Sequence, residues 1–292
     1  MNKKLLIWVR INEYKGRDEN PNVPFTPDEI AEAAAECRAA GASIVHFHAR
    51  NADGSPNFEP EVYAECAAKI RERSDILIDV TLGQANVKEP GQRIAHIRHM
   101  AKTPASRPDF AAVDTGSTNV DTYDAASRQY KSTNRTYANS IETCQFLIRE
   151  MRSLRVTPAI SAWAVPFLRG MDSLIDSGEL AEPTSVQIVL CDGGLLGGHP
   201  NTPSGLLSMV DQLPRNRKLE WQVAVKEGNI FAAAAIAIHL GGHISPGLGD
   251  YAYPELGHPT NGQLVAQLAA LGRAMGRPPA TPDDCRRMLA MA

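Results

Sequence analysis

Along the chain, the order of hydrophobic and polar residues alternates between a strand-like pattern and a helix-like pattern. Short apolar runs, rich in β-branched residues, form the first pattern. Many of them carry no charge until their last residue, which is typical of parallel strands buried on both faces. A helix-like segment follows each run. The predicted strands are Leu5–Arg10, a run from Ser43 that carries His46 and His48, Ile76–Thr81, Phe110–Asp114, Val156–Ser161, Ser185–Cys191, Leu219–Val225 and His243–Pro246.

The first and last predicted helices have clear starting signals. Thr26 is a candidate N-cap, followed by a proline and two acids, and the Ala-rich helix that it opens ends at Gly41. Thr281 caps a short C-terminal helix in the same way. The other predicted helices are Pro60–Arg73, Gly91–Lys102, Asn139–Leu154, Pro166–Ser177, Pro203–Leu213, Asn229–Leu240 and Asn261–Met275.

Eight strand–helix units in 292 residues favour an α/β TIM (β/α)8 barrel over an open sheet. The chain has no linker-like stretch and no shift in composition, so we expect a single domain over residues 1–292. Two long polar segments, Glu13–Phe25 and Thr115–Ala138, follow the first and fourth strands. We expect both on the carboxyl face of the barrel, where such loops close over a substrate.

Composition and charge narrow the class of protein. Lys and Arg number 30 and Asp and Glu 33, so the net charge is −3 and gives no bulk attraction to nucleic acid. We find no run resembling a signal peptide or a transmembrane helix. The five cysteines are scattered without a CxxC pair, which favours reduced thiols. These features predict a cytoplasmic protein with no nucleic-acid or membrane partner.

The pair His46 and His48 is the strongest chemical signal in the chain. Side chains alternate along a strand, so both imidazoles face the same way, about 7 Å apart. The turn Asn51–Gly54 follows, which puts the pair at the carboxyl end of its strand, where α/β enzymes keep their chemistry. Two imidazoles so spaced can bind one divalent ion such as Zn²⁺, Fe²⁺ or Mn²⁺. The alternative is a pair of hydrogen-bonded core histidines.

Other strand ends also carry polar residues, which are costly to bury without a function. Asp79 has a second interpretation, as a structural acid inside the barrel. The candidates are Arg10, Asn12, Glu13, Asp79, Thr81, Asp114, Thr115, Ser117, Cys191, Asp192, Lys226, Glu227, Ser245 and Asp250.

Several segments resemble the β-keto acid cleavage enzymes, a family first described as a domain of unknown function and typified by 3-keto-5-aminohexanoate cleavage enzyme. The resemblance covers nearly the whole chain in order, and the stretch from Ala40 to Gly54 is its most specific part. The matching segments are Thr26–Ile30, Ala40–Gly54, Val80–Gly83, Gly193–Pro203, Trp221–Ala224, Gly241–Ile244 with Gly247, Leu248 and Asp250, and Ala280–Pro282.

The resemblance implies a zinc-dependent barrel that assembles as a tetramer or dimer. It implies that His46 and His48 bind zinc, that Thr81 and Ser117 present hydroxyls to the substrate, and that Asp250 acts as the base. The implied reaction is that of a β-keto acid with acetyl-CoA, which gives acetoacetate and a new acyl-CoA.

The chain departs from the family at strand eight, where the family pattern RVGLED has an arginine that positions the base and a glutamate on zinc. Ser245 stands at the arginine and Gly249 at the glutamate. Ala159 replaces a further glutamate of strand five. We predict that Lys226 restores the positive charge and takes part in catalysis, and that Glu227 is the third metal ligand.

Alternatives for the third ligand remain open, since His199, His258 or Glu13 could complete the site. Glu13 is also predicted to contact the substrate, together with Asn12 and Ser245.

The leading hypothesis is thus a metal-dependent enzyme that cleaves a β-keto acid with acetyl-CoA. The metal would polarise the keto oxygen, Asp250 would be the general base, and Thr81 and Ser117 would donate hydrogen bonds to oxyanions. Acetyl-CoA rests on the resemblance, because the glycines of Gly193–Gly198 are not a specific phosphate motif. The alternatives are a metal-dependent hydrolase or aldolase-like lyase without CoA, and a barrel without catalytic activity.

Overall fold

The computed structural model describes residues 3–82, 87 and 89–291. Gly83, the last residue of one of the matching segments, lies outside them. Eight parallel strands form the barrel: β1 (Trp8–Arg10), β2 (Ile44–Phe47), β3 (Leu77–Val80), β4 (Phe110–Asp114), β5 (Thr157–Ala162), β6 (Thr184–Cys191), β7 (Leu219–Lys226) and β8 (His243–Ile244). The short segment His199–Pro200 pairs with the end of β6.

The strands pair in chain order, and the last returns to the first. A parallel bridge between Ile7 and Ile244 joins β8 to the strand that begins the sheet. The predicted TIM (β/α)8 barrel is therefore confirmed. The strand β8 is short because Pro246 has no N–H, while its carbonyl still accepts from the Arg10 N–H at 2.8 Å.

Helices surround the sheet, and the predicted caps have the expected geometry. Thr26 forms a capping box with Glu29, and Gly41 ends the first helix at a φ of 119°. The helices are α1 (Pro27–Ala40), α2 (Pro60–Arg73), α3 (Pro90–Arg93), α4 (Ala95–Met100), α5 (Ile141–Ser153), α6 (Val165–Asp176), α7 (Pro203–Val210), α8 (Phe231–His239), α9 (Asn261–Ala274) and α10 (Pro282–Met288).

Two predicted elements differ in detail from the observed ones. The single helix predicted over Gly91–Lys102 is broken at Ile94, whose ψ of 0° is not helical, so α3 and α4 are separate. The loop predicted over Thr115–Ala138 contains two small antiparallel pairs, Thr118–Asn119 with Thr136–Tyr137 and Tyr123–Asp124 with Gln129–Tyr130. None of the helices in the described ranges is long and apolar enough to cross a membrane.

The barrel interior has an apolar lower layer and a polar layer above it. The rings of Trp8 and Phe110 pack with centroids 4.7 Å apart. Residues two apart on a strand point to the same face. The polar layer consists of Arg10, His46 and Asp79, each of which stands two residues after an inward-facing residue of the lower layer and therefore lies one layer higher in the barrel. Register supports this placement, since His46 lies beside Arg10 on one side and beside Asp79 on the other. The lower layer and the helix α10 that closes it comprise Leu6, Trp8, Ile44, Leu77, Phe110, Ala159, Ala280, Cys285 and Leu289.

Candidate active site

A cavity of about 610 Å³ opens at the carboxyl ends of the strands. Its floor is polar and its mouth is partly aromatic, with Tyr14 and Phe58 both exposed. The lining side chains include Arg10, Glu13, Tyr14, Lys15, His46, His48, Phe58, Thr81, Asp114, Arg135, Ser161, Trp163, Gln187, Lys226 and Glu227.

The two histidines converge on this cavity as the strand alternation predicts. Their ring centroids are 5.2 Å apart, and the edge of Tyr14 packs against His48. His46 Nδ1 lies 2.7 Å from the Asp79 carboxylate, which also accepts from the indole N–H of Trp8 at 2.9 Å. A carboxylate on Nδ1 holds the imidazole in the tautomer whose Nε2 lone pair is free. Asp79 is therefore a structural acid in the barrel, as its second interpretation held, and it orients His46.

Glu13 completes a set of three possible metal ligands with the two histidines. One ligand atom from each of Glu13, His46 and His48 lies within 4.8 Å of the others, and all three residues are buried. The Glu13 carboxylate is 3.7 Å from His46 Nε2. The predicted third ligand, Glu227, is not in this set. Its carboxylate pairs instead with Lys15 at 2.6 Å and is substantially exposed, because the backbone turns at Glu227 with a φ of 61°.

The protonation state of the two histidines and an unpaired ring nitrogen both fit a divalent metal ion. Burial and the charges of Arg10 and Lys226 hold the pKa of His46 well below its ordinary value, and burial and His46 do the same for the pKa of His48. Both rings are therefore neutral at pH 7. His46 Nε2 is buried without a hydrogen-bond partner among the described residues. A neutral, unpaired imidazole nitrogen facing a carboxylate is the donor arrangement that Zn²⁺ and similar ions bind.

Two cations hold Glu13 and Asp250 beside the histidines. Arg10 donates to the Glu13 carboxylate, and its Nε is 3.3 Å from Asp250. Lys226 Nζ contacts the Glu13 carboxylate and lies 2.6 Å from Asp250. Asp250 is buried, with neither carboxylate oxygen accepting a hydrogen bond of good geometry within the described part of the chain.

The absence of a side chain at Gly249 makes room for Glu13. A Cβ placed on Gly249 would lie 2.9 Å from the Glu13 amide nitrogen and 3.0 Å from Glu13 Cγ. Glu13, from the loop after β1, therefore packs directly against the backbone of Gly249.

The backbone around Glu13 is held by two polar residues at the same barrel end. Arg50 donates to the carbonyls of Asn12, Glu13 and Lys15. The Asn12 amide group bonds the backbone of His48 in both directions, at 2.9 Å each. Glu13 itself has a φ of 25°, an uncommon conformation for a residue with a side chain. Arg10 was among the strand-end candidates of the sequence analysis. Arg50 was not, although its position shortly after β2 was a usable signal.

The remaining predicted site residues separate into those at the cavity and those away from it. Thr81 lines the cavity beside the histidines. Ser117 is exposed, and its hydroxyl accepts from the Asn139 N–H. Ser245 donates to the Trp8 carbonyl at 2.9 Å and does not line the cavity, and neither does Asn12. His199 bonds Ser208, and His258 is exposed, so neither approaches the histidine pair.

The long loop after β4 forms one wall of the cavity and packs against the loop after β6. Asp114 anchors it by accepting from Tyr137 Oη and Trp163 Nε1, both at 2.7 Å. The Tyr123 N–H donates to the Gly194 carbonyl at 2.9 Å. Gly194 has a φ of 81°, and a Cβ there would collide with the carbonyl oxygen of Tyr123. The Gly193-Gly194 pair therefore serves loop packing.

Comparison with known proteins identifies the family. A model of the β-keto acid cleavage enzyme family matches residues 4–291. The chain belongs to the β-keto acid cleavage enzyme family. It is 28% identical to the 3-keto-5-aminohexanoate cleavage enzyme of Acetoanaerobium sticklandii over 279 residues, which cover 94% of each chain. It is also 28% identical to the 3-oxoadipate:acetyl-CoA acetyltransferase of Cupriavidus necator over 276 residues, covering 94% of this chain and 89% of that protein.

Solved structures support the fold of this family member. The apo structure of ObcA superposes with a TM-score of 0.72 at 14% identity, covering 93% of this chain and 66% of that chain. The complex of ObcA with a C4-CoA adduct and oxalate gives a TM-score of 0.71 at 14% identity, covering 92% and 68%. At this identity the similarity establishes a shared barrel architecture and no more.

Proposed function

We propose that the protein is a divalent-metal-dependent β-keto acid cleavage enzyme that uses acetyl-CoA as its second substrate. Membership of the family and the names of the relatives support the reaction class. The observation that carries the metal dependence is the buried set of Glu13, His46 and His48 at the cavity. A cavity of about 610 Å³ has room for a small keto acid together with the reactive end of a thioester.

The proposed reaction balances without an oxidant or water. The C2–C3 bond of the β-keto acid breaks, and C2 forms a new bond to the acetyl carbon of acetyl-CoA. The thioester of acetyl-CoA breaks, and the released acyl group forms a thioester with the same sulfur. The products are acetoacetate and a new acyl-CoA, and the proton that leaves C2 is returned to the product.

The residues at the cavity have separate functions in this proposal. A metal ion held by Glu13, His46 and His48 would supply Lewis-acid stabilisation of negative charge on the substrate oxygens. Asp250 takes the C2 proton, and Arg10 and Lys226 hold its carboxylate. The Thr81 hydroxyl donates to an oxyanion. Ser117 has no part in the proposal, because its side chain is exposed and bonded to Asn139.

Acetoacetate gives a test that does not depend on knowing the natural acyl group. Every turnover releases acetoacetate, so the site must bind it. With acetoacetate as the keto acid, substrates and products are identical, and ¹³C in the acetyl group of acetyl-CoA should enter C3 and C4 of acetoacetate. We expect this exchange, its loss after chelation, and its return with Zn²⁺ or another divalent ion.

Two outcomes would contradict the proposal. Consumption of β-keto acids at a rate independent of acetyl-CoA would favour the lyase or hydrolase alternative. Exchange that is unaffected by thorough chelation would contradict the metal dependence. The natural β-keto acid is found by repeating the assay over keto acids of different chain length and charge. Location in the cytoplasm, assembly as a dimer or tetramer, and the single domain stay predictions from the sequence.

A further inference from the structure

One lysine at the end of β7 touches both acidic groups of the site. Lys226 Nζ contacts the Glu13 carboxylate from one side and lies 2.6 Å from Asp250 Oδ1 on the other. Only about a seventh of its side chain is exposed. The next residue secures the same arrangement through the backbone, since the Glu227 N–H donates to the Asp250 carbonyl at 2.9 Å. The metal-ligand carboxylate and the base thus share a single ammonium group.

The charges of this cluster are balanced, so the lysine cannot be removed without a consequence. Arg10 and Lys226 provide two positive charges against the two negative charges of Glu13 and Asp250. All four side chains are largely buried, where charges interact more strongly than at the surface. Arg10 also contacts both carboxylates, so each remains paired once if Lys226 is lost.

Glycine at position 249 lets the two carboxylates come within reach of one lysine. Glu13 Cγ lies only 3.0 Å from the position that a Cβ on Gly249 would take. Asp250 follows directly in the chain. Glu13 and Asp250 therefore meet from β1 and from the loop after β8, and Lys226 reaches both from β7.

We propose that Lys226 is a positioning residue that links the metal site to the base by holding Glu13 and Asp250 together. This inference rests on the proposed function for its kinetic part, and its metal-binding part is independent of it. A cation in contact with a metal ligand opposes metal binding electrostatically, while it orders the base for proton transfer. Its removal should therefore affect metal affinity and turnover in opposite directions, which loss of a merely structural lysine would not do.

The test compares Lys226→Met and Lys226→Arg with the parent protein. Zn²⁺ affinity is measured on the metal-free protein by competition with a chromophoric chelator, and turnover by the acetoacetate exchange. We expect Lys226→Met to bind Zn²⁺ more tightly than the parent, because a cation beside a metal-ligand carboxylate has been removed. Its kcat should fall by about 10²-fold, the cost of a displaced catalytic group, with a much smaller change in KM. Lys226→Arg should recover part of kcat, because it restores a cation between the carboxylates.

Lys15 offers a matched control in the same cavity. It too is a buried lysine between two carboxylates, with Glu19 at 2.9 Å and Glu227 at 2.6 Å, and it is outside the metal-ligand set. Lys15→Met should leave Zn²⁺ affinity unchanged. Circular dichroism and thermal unfolding of each variant establish that the barrel is intact.

The outcomes separate this inference from the proposed function. Zn²⁺ affinity that is unchanged or weaker in Lys226→Met would overturn it, as would turnover within about threefold of the parent. If the parent protein has no exchange activity, the proposed function fails, and Zn²⁺ affinity alone decides whether Lys226 acts on the metal site. Weaker Zn²⁺ binding in Lys226→Met would then contradict the inference.

Discussion

The orientation and protonation state of side chains at the cavity depend on the residues that hydrogen-bond to them from inside the barrel. His46 can present Nε2 to a metal because Asp79 occupies Nδ1, and Asp79 is itself held by Trp8. Burial raises the pKa of Asp79 to about 7, and the charge of Arg10 opposes that shift. A cation bound at His46 would favour the carboxylate form further, so orientation of the ligand and binding of the metal support each other.

Glu13 and Glu227 give opposite expectations for the same substitution. Glu13→Gln should lower Zn²⁺ affinity by more than about 10²-fold, because loss of even an outer-shell partner costs 10- to 100-fold. Glu227→Gln should leave Zn²⁺ affinity unchanged, since that carboxylate pairs with Lys15. Chelator competition on both variants measures the difference. A large loss of Zn²⁺ affinity in Glu227→Gln, with none in Glu13→Gln, would instead support Glu227 as the third metal ligand, as predicted from the sequence.

Asp250→Asn should remove most of the exchange activity while Zn²⁺ binding is retained. An amide cannot accept the C2 proton, and loss of a general base costs about 10²–10⁴ in rate. Arg10 and Lys226 would remain paired with Glu13, so the metal site keeps its ligands. Exchange within about tenfold of the parent rate would exclude Asp250 as the base.

At the scale of elements, strand alternation positions the two histidines, and loop packing forms the walls of the cavity. The strand β2 and the residue that follows it present two imidazoles to the cavity, and the loops after β1, β4 and β6 form the cavity walls around them. The strand is held by ladders on both sides, whereas the walls depend on close backbone approaches between loops. Substitutions in the two kinds of element should therefore differ in what they damage.

His46→Ala and His48→Ala should each abolish Zn²⁺ binding and exchange while the barrel stays folded. Both imidazoles come from one rigid strand end, so the histidine that remains in each variant cannot move to compensate for the ligand that has been lost. Metal content after dialysis and the circular dichroism spectrum are the measurements. Full metal occupancy in either single variant would show that the two histidines do not share an ion.

Gly194→Ala should damage the cavity wall beyond the cost of its backbone conformation. The matched control is Gly241→Ala, because Gly241 has a similar φ of 83° but nothing within 4 Å of the added Cβ. We expect Gly241→Ala to cost about 1–2 kcal/mol of unfolding free energy. Gly194→Ala should cost more and should also raise KM, because the Tyr123 carbonyl must move. Equal effects of the two substitutions on stability and on KM would contradict the loop-packing function.

At the scale of the whole molecule, stability should depend on pH through buried histidines outside the cavity floor. His96 of α4 donates to the Thr81 carbonyl at 2.9 Å, and His243 of β8 bonds Glu220 and the Leu6 N–H. Burial lowers the pKa of each from 6.5 to about 4. Between pH 6.5 and 4 each of these histidines is protonated in the unfolded chain but neutral in the folded protein. The free energy of unfolding therefore decreases as the pH falls from 6.5 towards 4.

His96→Gln isolates one of these contributions. The parent should be more stable than the variant at pH 7, and the difference should shrink as the pH falls to 4.5, by up to about 3 kcal/mol in total for a fully buried group. Denaturant unfolding at both pH values measures it. His99, about a third of whose side chain is exposed, provides the control, because His99→Gln should give a difference that is small at both pH values. A constant difference for His96→Gln would contradict the prediction.

Much of the barrel followed from local sequence. The bounds predicted for α2 and β4 agree with the observed ones, because a proline start and an uncharged apolar run are local signals. The histidine pair was also local, since its common face follows from the period of a single strand. The predicted site residues Thr81, Lys226, Glu13 and Glu227 all line the cavity, which the rule of carboxyl strand ends anticipates.

The choice between Glu13 and Glu227 as the third ligand depended on the tertiary structure. Both follow strand ends, and nothing local distinguishes them. Barrel closure brings the loop after β1 against the loop after β8, and Gly249 leaves the space that Glu13 enters. The backbone turn at Glu227 directs its carboxylate to Lys15. The sequence by itself determined the fold class and two candidate metal ligands, because those depend on short-range periodicity. Which acid lies beside the two histidines was decided by contacts between residues more than 200 positions apart, and only the closed barrel creates such contacts.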